Sequence, residues 1–227
     1  MITGNRATTS AHEPATLKAR TFASQVPLFD DAQIGGASMT FERNAEIYGE
    51  GEEAEYVYKV LSGSVRAYKV LSDGRRQVTA FYLPGDVFGI EEGSEHTNSA
   101  EAIDKASILV VRRSSLFNTA ERDTEVARHL WAITAAELRR SQNHALLLIK
   151  TAKERIAAFL LDMAERLAGK GFVELPMSRQ DIADYLGLTI ETVSRTLTSL
   201  SEGSTIQFLA SRRIVLRNPS QLNELNA

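Results

Sequence analysis

Residues 178–200 read S-R-Q-D-I-A-D-Y-L-G-L-T-I-E-T-V-S-R-T-L-T-S-L, and this stretch decides the fold. Its spacing predicts two short amphipathic helices joined by a tight turn. Ile182, Ala183 and Leu186 recur at helical spacing in the first. Gly187 ends that helix, where a left-handed backbone costs no Cβ clash. Thr189 follows as an N-cap, its hydroxyl able to accept from an orphan backbone N–H. The second helix buries Val193, Leu197 and Leu200 and turns Glu191, Thr192, Ser194 and Arg195 outward. A helical hairpin with a solvated face has the same periodicity. The side chains favour a DNA-reading helix-turn-helix, whose base contacts lie near the start of the second helix. Arg195 can fork two donors onto guanine O6 and N7, and Glu191, one turn earlier, can accept from a cytosine amine. The two can also pair with each other, and on DNA both roles coexist.

The E-T-V-S-R segment, preceded by D-I-A-D-Y-L-G-L-T, resembles the recognition helix of the Crp/Fnr family of bacterial transcription regulators. Its S-R ending resembles the Fnr and FixK branches. Crp-type members carry an Arg before the Glu and a Gly before the final Arg, and Ile190 and Ser194 stand there in this chain. The resemblance runs from about residue 25 to about 217. It implies base contacts at Ile190, Glu191, Ser194 and Arg195, and a half-site T-T-G-A repeated in inverted order across a six-base-pair spacer. Ser178, Arg179, Gln180, Thr189 and Thr192 lie at helix N-termini, which favour phosphate, and by resemblance they touch the DNA backbone. Double-stranded DNA, RNA polymerase and a second copy of the chain are the implied partners.

The chain has 227 residues, enough for two small domains, with a formal net charge of −3 that does not advertise a nucleic-acid binder. From residue 151 onward 2 Lys and 7 Arg balance 9 acidic residues. Any DNA-facing positive surface must come from clustering, and Arg179, Arg195, Arg212, Arg213 and Arg217 are the candidates. The absence of cysteine excludes disulfides and thiolate-held metals. No apolar run approaches the roughly 20 residues that span a membrane. No signal peptide is recognisable at the N-terminus, and a cytoplasmic location is the default expectation.

The pattern divides into a polar tail at 1–22, a β-rich unit at 23–119, a long helix at 120–150 and a C-terminal unit at 151–227. Short β-rich runs, M-T-F-E-R, Y-V-Y-K-V-L, S-V-R-A-Y-K-V-L, Q-V-T-A-F-Y-L and S-I-L-V-V, alternate with turns at Ser62-Gly63, Ser72-Asp73-Gly74 and Pro84-Gly85-Asp86. G-E-G-E-E-A-E-Y-V-Y-K-V-L-S-G-S-V-R, followed by F-Y-L-P-G-D-V-F-G, resembles the cyclic-nucleotide-binding-type β-roll. Residues 123–149 lack Pro and Gly and predict a helix about 40 Å long at 1.5 Å per residue. Val126, Leu130 and Ile133 form its apolar stripe, expected at a dimer interface, with packing inside the same chain as the alternative, and Leu146 to Ile149 form a second apolar block. Glu137 and Arg140 interrupt the heptad. A helix at 151–167, a strand at 172–175, the helix-turn-helix and two strands flanking Ala210-Ser211-Arg212 complete a winged helix-turn-helix. Residues 218–227 read as a frayed tail. The fold class is therefore α+β.

Family members that bind cyclic AMP carry F-G-E followed by R-S-A or R-T-A. The Glu holds the ribose hydroxyl and the Arg neutralises the phosphate. Here these places are Phe88-Gly89-Ile90 and Asn98-Ser99-Ala100, with Glu91 and Glu92 adjacent. A buried phosphate left without its cation costs several kcal/mol, which argues against a cyclic nucleotide. Fnr-type oxygen sensors use N-terminal cysteines, absent here. His12, His96, His129 and His144 are scattered, and neither a metal nor any other cofactor is expected. A FixK-type activator of low-oxygen and nitrogen-fixation genes, with sensing done upstream, fits best. Some FixK-type relatives have an oxidant-sensitive cysteine near the start of the helix-turn-helix, where Ser178 stands here. An effector-gated regulator with an unidentified ligand in the β-roll is the alternative. An enzyme on a cupin-like barrel would need clustered histidines, and the barrel offers only His96.

Overall fold

The computed structural model describes residues 35–167 and 171–226. The expected tail at 1–22, and residues 23–34 of the expected β-rich unit, lie outside the described residues. Among the described residues of the N-terminal part, eight strands form two four-stranded antiparallel sheets packed face to face. These are β1 (Gly36–Phe41), β2 (Glu46–Tyr48), β3 (Tyr56–Ser62), β4 (Val65–Val70), β5 (Arg76–Tyr82), β6 (Val87–Phe88), β7 (Ser99–Ala102) and β8 (Ala106–Arg112). One sheet has the order β1-β8-β3-β6 and the other β2-β7-β4-β5. Val60, Val65, Ala67, Ala100, Ala102, Ala106 and Ile108 fill the space between them with a group of aromatic rings. The five expected strands are all present. β2, β6 and β7 escape a reading by alternation because two to four residues carry too little of it.

Glycine sets the corner between the sheets. Gly63 has φ of 79°, and a Cβ there would lie 2.5 Å from the Lys105 carbonyl oxygen. No other residue fits so close an approach in left-handed backbone.

A short helix not expected from the sequence, α1 (Arg113–Arg122), follows β8, and α2 (Thr124–Leu147) runs on from it. The Asp123 side chain caps α2 by accepting from the Glu125 N–H at 2.8 Å. The assignment of Val126, Leu130 and Ile133 to a dimer seam needs correction. Val126 and Ile133 are buried against Val57, Val87, Val111 and Leu116, with Leu130 beside them. The interruptions at Glu137 and Arg140 belong to the same face. Glu137 accepts from the Tyr82 hydroxyl at 3.2 Å, and Arg140 pairs with Asp86 at 3.0 Å. This stripe therefore faces the roll. A second heptad, one residue out of phase, faces outward: Ala127, Trp131, Thr134, Leu138, Ser141 and Ala145 are all exposed, Trp131 by 75%. Periodicity alone does not say which of two interleaved heptads a neighbouring domain will cover.

The C-terminal part comprises α3 (Ala152–Arg166), β9 (Val173–Glu174), α4 (Arg179–Leu186), α5 (Ile190–Glu202), β10 (Ile206–Ala210), β11 (Arg213–Leu216) and α6 (Pro219–Asn226). A capping box between Thr151 and Glu154 starts α3. β10, β11 and β9 make a three-stranded antiparallel sheet, the wing. The core of this part is continuous with the roll. Val78, Phe81, Leu83 and Ile103 of the roll belong to the same buried cluster as Phe159, Leu160, Ile182, Leu197 and Ile214. Among the described residues no helix is long and apolar enough to cross a membrane.

The reading of 218–227 as a frayed tail is overturned by α6. Leu222 is fully buried in the shared core, with Leu225 packed against it. Asn218 accepts from the Gln221 N–H at 3.1 Å and Pro219 occupies the first turn, so Asn-Pro was a legible helix start. Lys150, between α2 and α3, donates to the Asn226 carbonyl and ties α6 to the α2–α3 connection. Leu222→Ala should cost about 2–5 kcal/mol of stability, as deletions of fully buried leucine side chains do, read from the urea midpoint of unfolding.

Candidate nucleic-acid interface

The reading element is built from its caps outward. The Ser178 hydroxyl accepts from the Asp181 N–H at 3.1 Å and donates to Asp181 Oδ2 at 2.6 Å, while the Ser178 N–H donates to Oδ2 at 3.0 Å. This capping box starts α4. Gly187, with φ of 62° and ψ of 41°, ends it in left-handed backbone. Thr189 caps α5 by accepting from the Thr192 N–H at 3.2 Å. The Arg155 guanidinium holds the turn from behind. It donates to the carbonyls of Leu186 at 2.7 Å, Lys150 at 2.8 Å and Leu148 at 2.6 Å. These are acceptors that the ends of two helices would otherwise leave orphaned.

Glu191 and Arg195 stand exposed one turn apart on the outward face of α5. The Glu191 carboxyl is held below its ordinary value by its own backbone N–H, then by the Thr189 hydroxyl, with Arg195 adding to the effect. It is thus an ionised acceptor at neutral pH. Ile190, 37% exposed, opens the same face. Ser194 is half-buried, and its hydroxyl accepts from Arg179 at 3.2 Å. Arg179 also lies 5.7 Å above the Phe208 ring of the wing, so one side chain joins α4, α5 and β10. Gln180 is exposed and donates to Asp184 at 2.6 Å. The Thr189 and Thr192 hydroxyls are 3.1 Å apart. The expected base-contacting group Ile190, Glu191, Ser194 and Arg195 thus falls on one helix. The expected phosphate group Ser178, Arg179, Gln180, Thr189 and Thr192 falls at the starts of α4 and α5. Of the other arginines, Arg212 donates to the Pro176 carbonyl at 2.9 Å, Arg213 pairs with Glu174 at 3.1 Å and Arg217 bonds Gln207 at 2.8 Å.

Sequence reading missed the junction that seats this element. Phe81 of β5, His144 of α2, Phe159 of α3 and Tyr185 of α4 meet ring against ring. His144 stacks on Tyr185 at 4.1 Å, and Phe81 and Phe159 lie 5.1 and 6.0 Å from it. The His144 Nε2–H donates to the Tyr185 carbonyl at 2.7 Å. Aromatic residues from four separate segments carry no local signal that they converge.

Residues 154–225 match the Crp-like helix-turn-helix domain family, and residues 38–123 match the cyclic nucleotide-binding domain family. The chain is 52% identical over 198 residues to the nitrogen fixation regulation protein FixK of Azorhizobium caulinodans, covering 85% of this chain and 80% of that one. It is 42% identical over 214 residues to FixK of Rhizobium meliloti, covering 93% and 98% respectively. The chain belongs to the Crp/Fnr family, as a FixK-type transcription regulator. The solved structure of FixK2 from Bradyrhizobium japonicum matches with a TM-score of 0.82 at 55% identity, covering 85% of this chain and 98% of that one.

In this FixK-type regulator the roll interior is occupied by rings. Tyr48 stacks on His96 at 3.6 Å, and Phe88 lies 5.2 Å from Tyr58 and 4.9 Å from Tyr82. Ile90 packs with the cluster under α2, and Asn98 bonds Thr79 and Thr97. His96 is buried, its Nδ1 3.7 Å from Glu91. Among the described residues no group of three or more His, Cys, Asp or Glu is placed to hold a metal ion.

Burial depresses the His144 imidazole below its ordinary value of 6.5, against a smaller opposing effect of the Tyr185 carbonyl. The folded state therefore resists protonation. The stability that His144 contributes is complete above pH 6.5 and is lost as pH falls from there through the lowered folded value. A plot of thermal midpoint against pH should fall on the acid side of 6.5, and His144→Gln should flatten it.

Proposed function

We propose that this chain is a dimeric, sequence-specific activator of low-oxygen and nitrogen-fixation genes. It binds T-T-G-A in an inverted repeat across a six-base-pair spacer, acts without a small-molecule effector, and recruits RNA polymerase in the cytoplasm. The observation that carries the reading is the exposed Glu191–Arg195 pair on a capped α5. Arg195 forks onto the guanine of the half-site, and Glu191 accepts from a cytosine of the same or a neighbouring pair. Ile190 cannot hydrogen-bond a base and meets a thymine methyl. The positioning group at the helix starts takes the phosphates. The ring-filled roll, with Ile90 and Asn98 in place of charged ligands, supports action without an effector.

Selection from random DNA tests the reading. It should return the T-T-G-A inverted repeat with no added ligand. Arg195→Ala should cost roughly 1–3 kcal/mol per half-site and erase the preference for G. Recovery of a motif without that repeat, or a G preference that survives Arg195→Ala, defeats the assignment. A tenfold tightening on adding cyclic AMP defeats the claim of effector independence.

Dimerisation through α2 follows from its outward heptad of Ala127, Trp131, Thr134, Leu138, Ser141 and Ala145. A second copy related by twofold symmetry covers Trp131 and Leu138, the large apolar side chains of that heptad, and places the two α5 helices in successive major grooves about 34 Å apart. Trp131→Glu with Leu138→Glu should give a folded monomer by sedimentation, with DNA affinity reduced at least tenfold. Ile133→Glu should instead lower the thermal midpoint, because that side chain serves the roll. A Trp131→Glu, Leu138→Glu protein that stays dimeric excludes this seam.

A further inference from the structure

Two arginines of the roll reach into the helix-turn-helix. Arg66 of β4 is braced from behind by Glu101 at 2.7 Å and donates to Asp181 Oδ1 at 3.2 Å. Arg76 of β5 donates to the same oxygen at 2.7 Å and to Asp184 Oδ2 at 2.8 Å. Asp181 is buried, and its two oxygens divide their work: Oδ1 takes both roll arginines and Oδ2 takes the Ser178 cap. Asp184 is likewise shared, with Oδ1 accepting from Gln180. The cluster therefore begins in the roll and ends on Ser178 and Gln180, two side chains placed against DNA phosphate in the reading above.

The shared apolar core holds the two parts together, but hydrophobic burial is non-directional and lets a helix slide or rotate on its seat. Charge-assisted hydrogen bonds are directional, and a buried ion pair contributes little net stability over an apolar replacement. What such a cluster adds is geometry. The covalent connection between α2 and α3 is the short segment 148–151, which by itself permits a pivot. Any pivot of α4 about that segment carries α5 with it and changes the separation of the two recognition helices in a dimer. We infer that Arg66 and Arg76, clamped on Asp181 and Asp184, are positioning residues that fix the angle of the recognition helix on the roll and so set the spacer length the dimer accepts.

This inference rests on the two-half-site reading, and the test separates the two. Binding is measured to a library of T-T-G-A inverted repeats with spacers of four to eight base pairs. Wild-type protein should prefer one spacer, and failure to do so counts against the two-half-site reading. Arg76→Gln should keep the preference for G in the half-site. Its affinity ratio between the best spacer and the next longer one should fall at least threefold, with Arg76→Lys restoring it. A loss of stability alone would not change that ratio. Arg66 is buried, and Arg66→Gln could unfold the chain. Arg76, with 27% of its side chain exposed, keeps the test decisive.

A second readout needs no DNA. The chain lacks cysteine, so cysteines placed at exposed Ser72 and Ser199 take spin labels at those two sites only. With labelled chain diluted into unlabelled chain, Arg76→Gln should broaden the distance distribution between roll and α5. An unchanged distribution, or a spacer ratio within threefold of wild type, overturns the inference.

Discussion

Tyr185 is where this protein is held together. Its ring is the meeting point of a strand of the roll, the long helix, the first helix of the C-terminal part and the helix-turn-helix itself. Its backbone carbonyl accepts from His144 and from Gln77. A C-terminal part joined to the roll through one short connection takes a fixed attitude only if something seats it. Seating α4 on the roll solves that, because the back of α4 then completes a core that both parts share. The angle of α5 on that seat is left to the polar contacts around it.

Around this apolar centre the polar contacts are arranged as ties between elements. Asp86, in the Pro-Gly-Asp turn of the roll, accepts from Arg140 of α2 and Arg166 of α3, and also from the Leu83 N–H. Arg155 ties the end of α2 to the end of α4. Each half-buried charge here has several partners, which is the condition under which its desolvation is offset. Arg166 also donates to the Phe81 carbonyl at 2.6 Å, so the strand carrying the central ring is held at its backbone too.

The helix-turn-helix was legible in the sequence because its signals are local. Gly187 in left-handed backbone, Thr189 as a cap and the Val193–Leu197–Leu200 stripe each constrain one turn of chain, and all three stand as read. The long strands of the roll were legible for the same reason. What was not legible depends on distant partners. Val126 and Ile133 versus Trp131 and Leu138 is a choice between two heptads of one helix, settled by which face the roll covers. Leu222 and Leu225 are too few to show a period, and the Asn218-Pro219 start signal alone does not say that their helix packs on α3. Asp181 looks like an ordinary first-turn acid. Its second task appears only when β4 and β5 are folded beside it.

The rings inside the roll also bear on how such a regulator can be controlled. A ligand-gated protein changes state within the residence time of a small molecule. On the reading proposed above, a roll already filled by Tyr48, Tyr58, Tyr82, Phe88 and His96 has given up that speed. Promoter occupancy then follows the amount of chain, through its synthesis, its destruction or a covalent mark upon it. Where two dilute chains must associate before a site is filled, occupancy rises with the square of their concentration, so a doubling of protein gives roughly fourfold more bound promoter. Acting without an effector would move the steepness of the response from chemistry at a binding site to the stoichiometry of assembly.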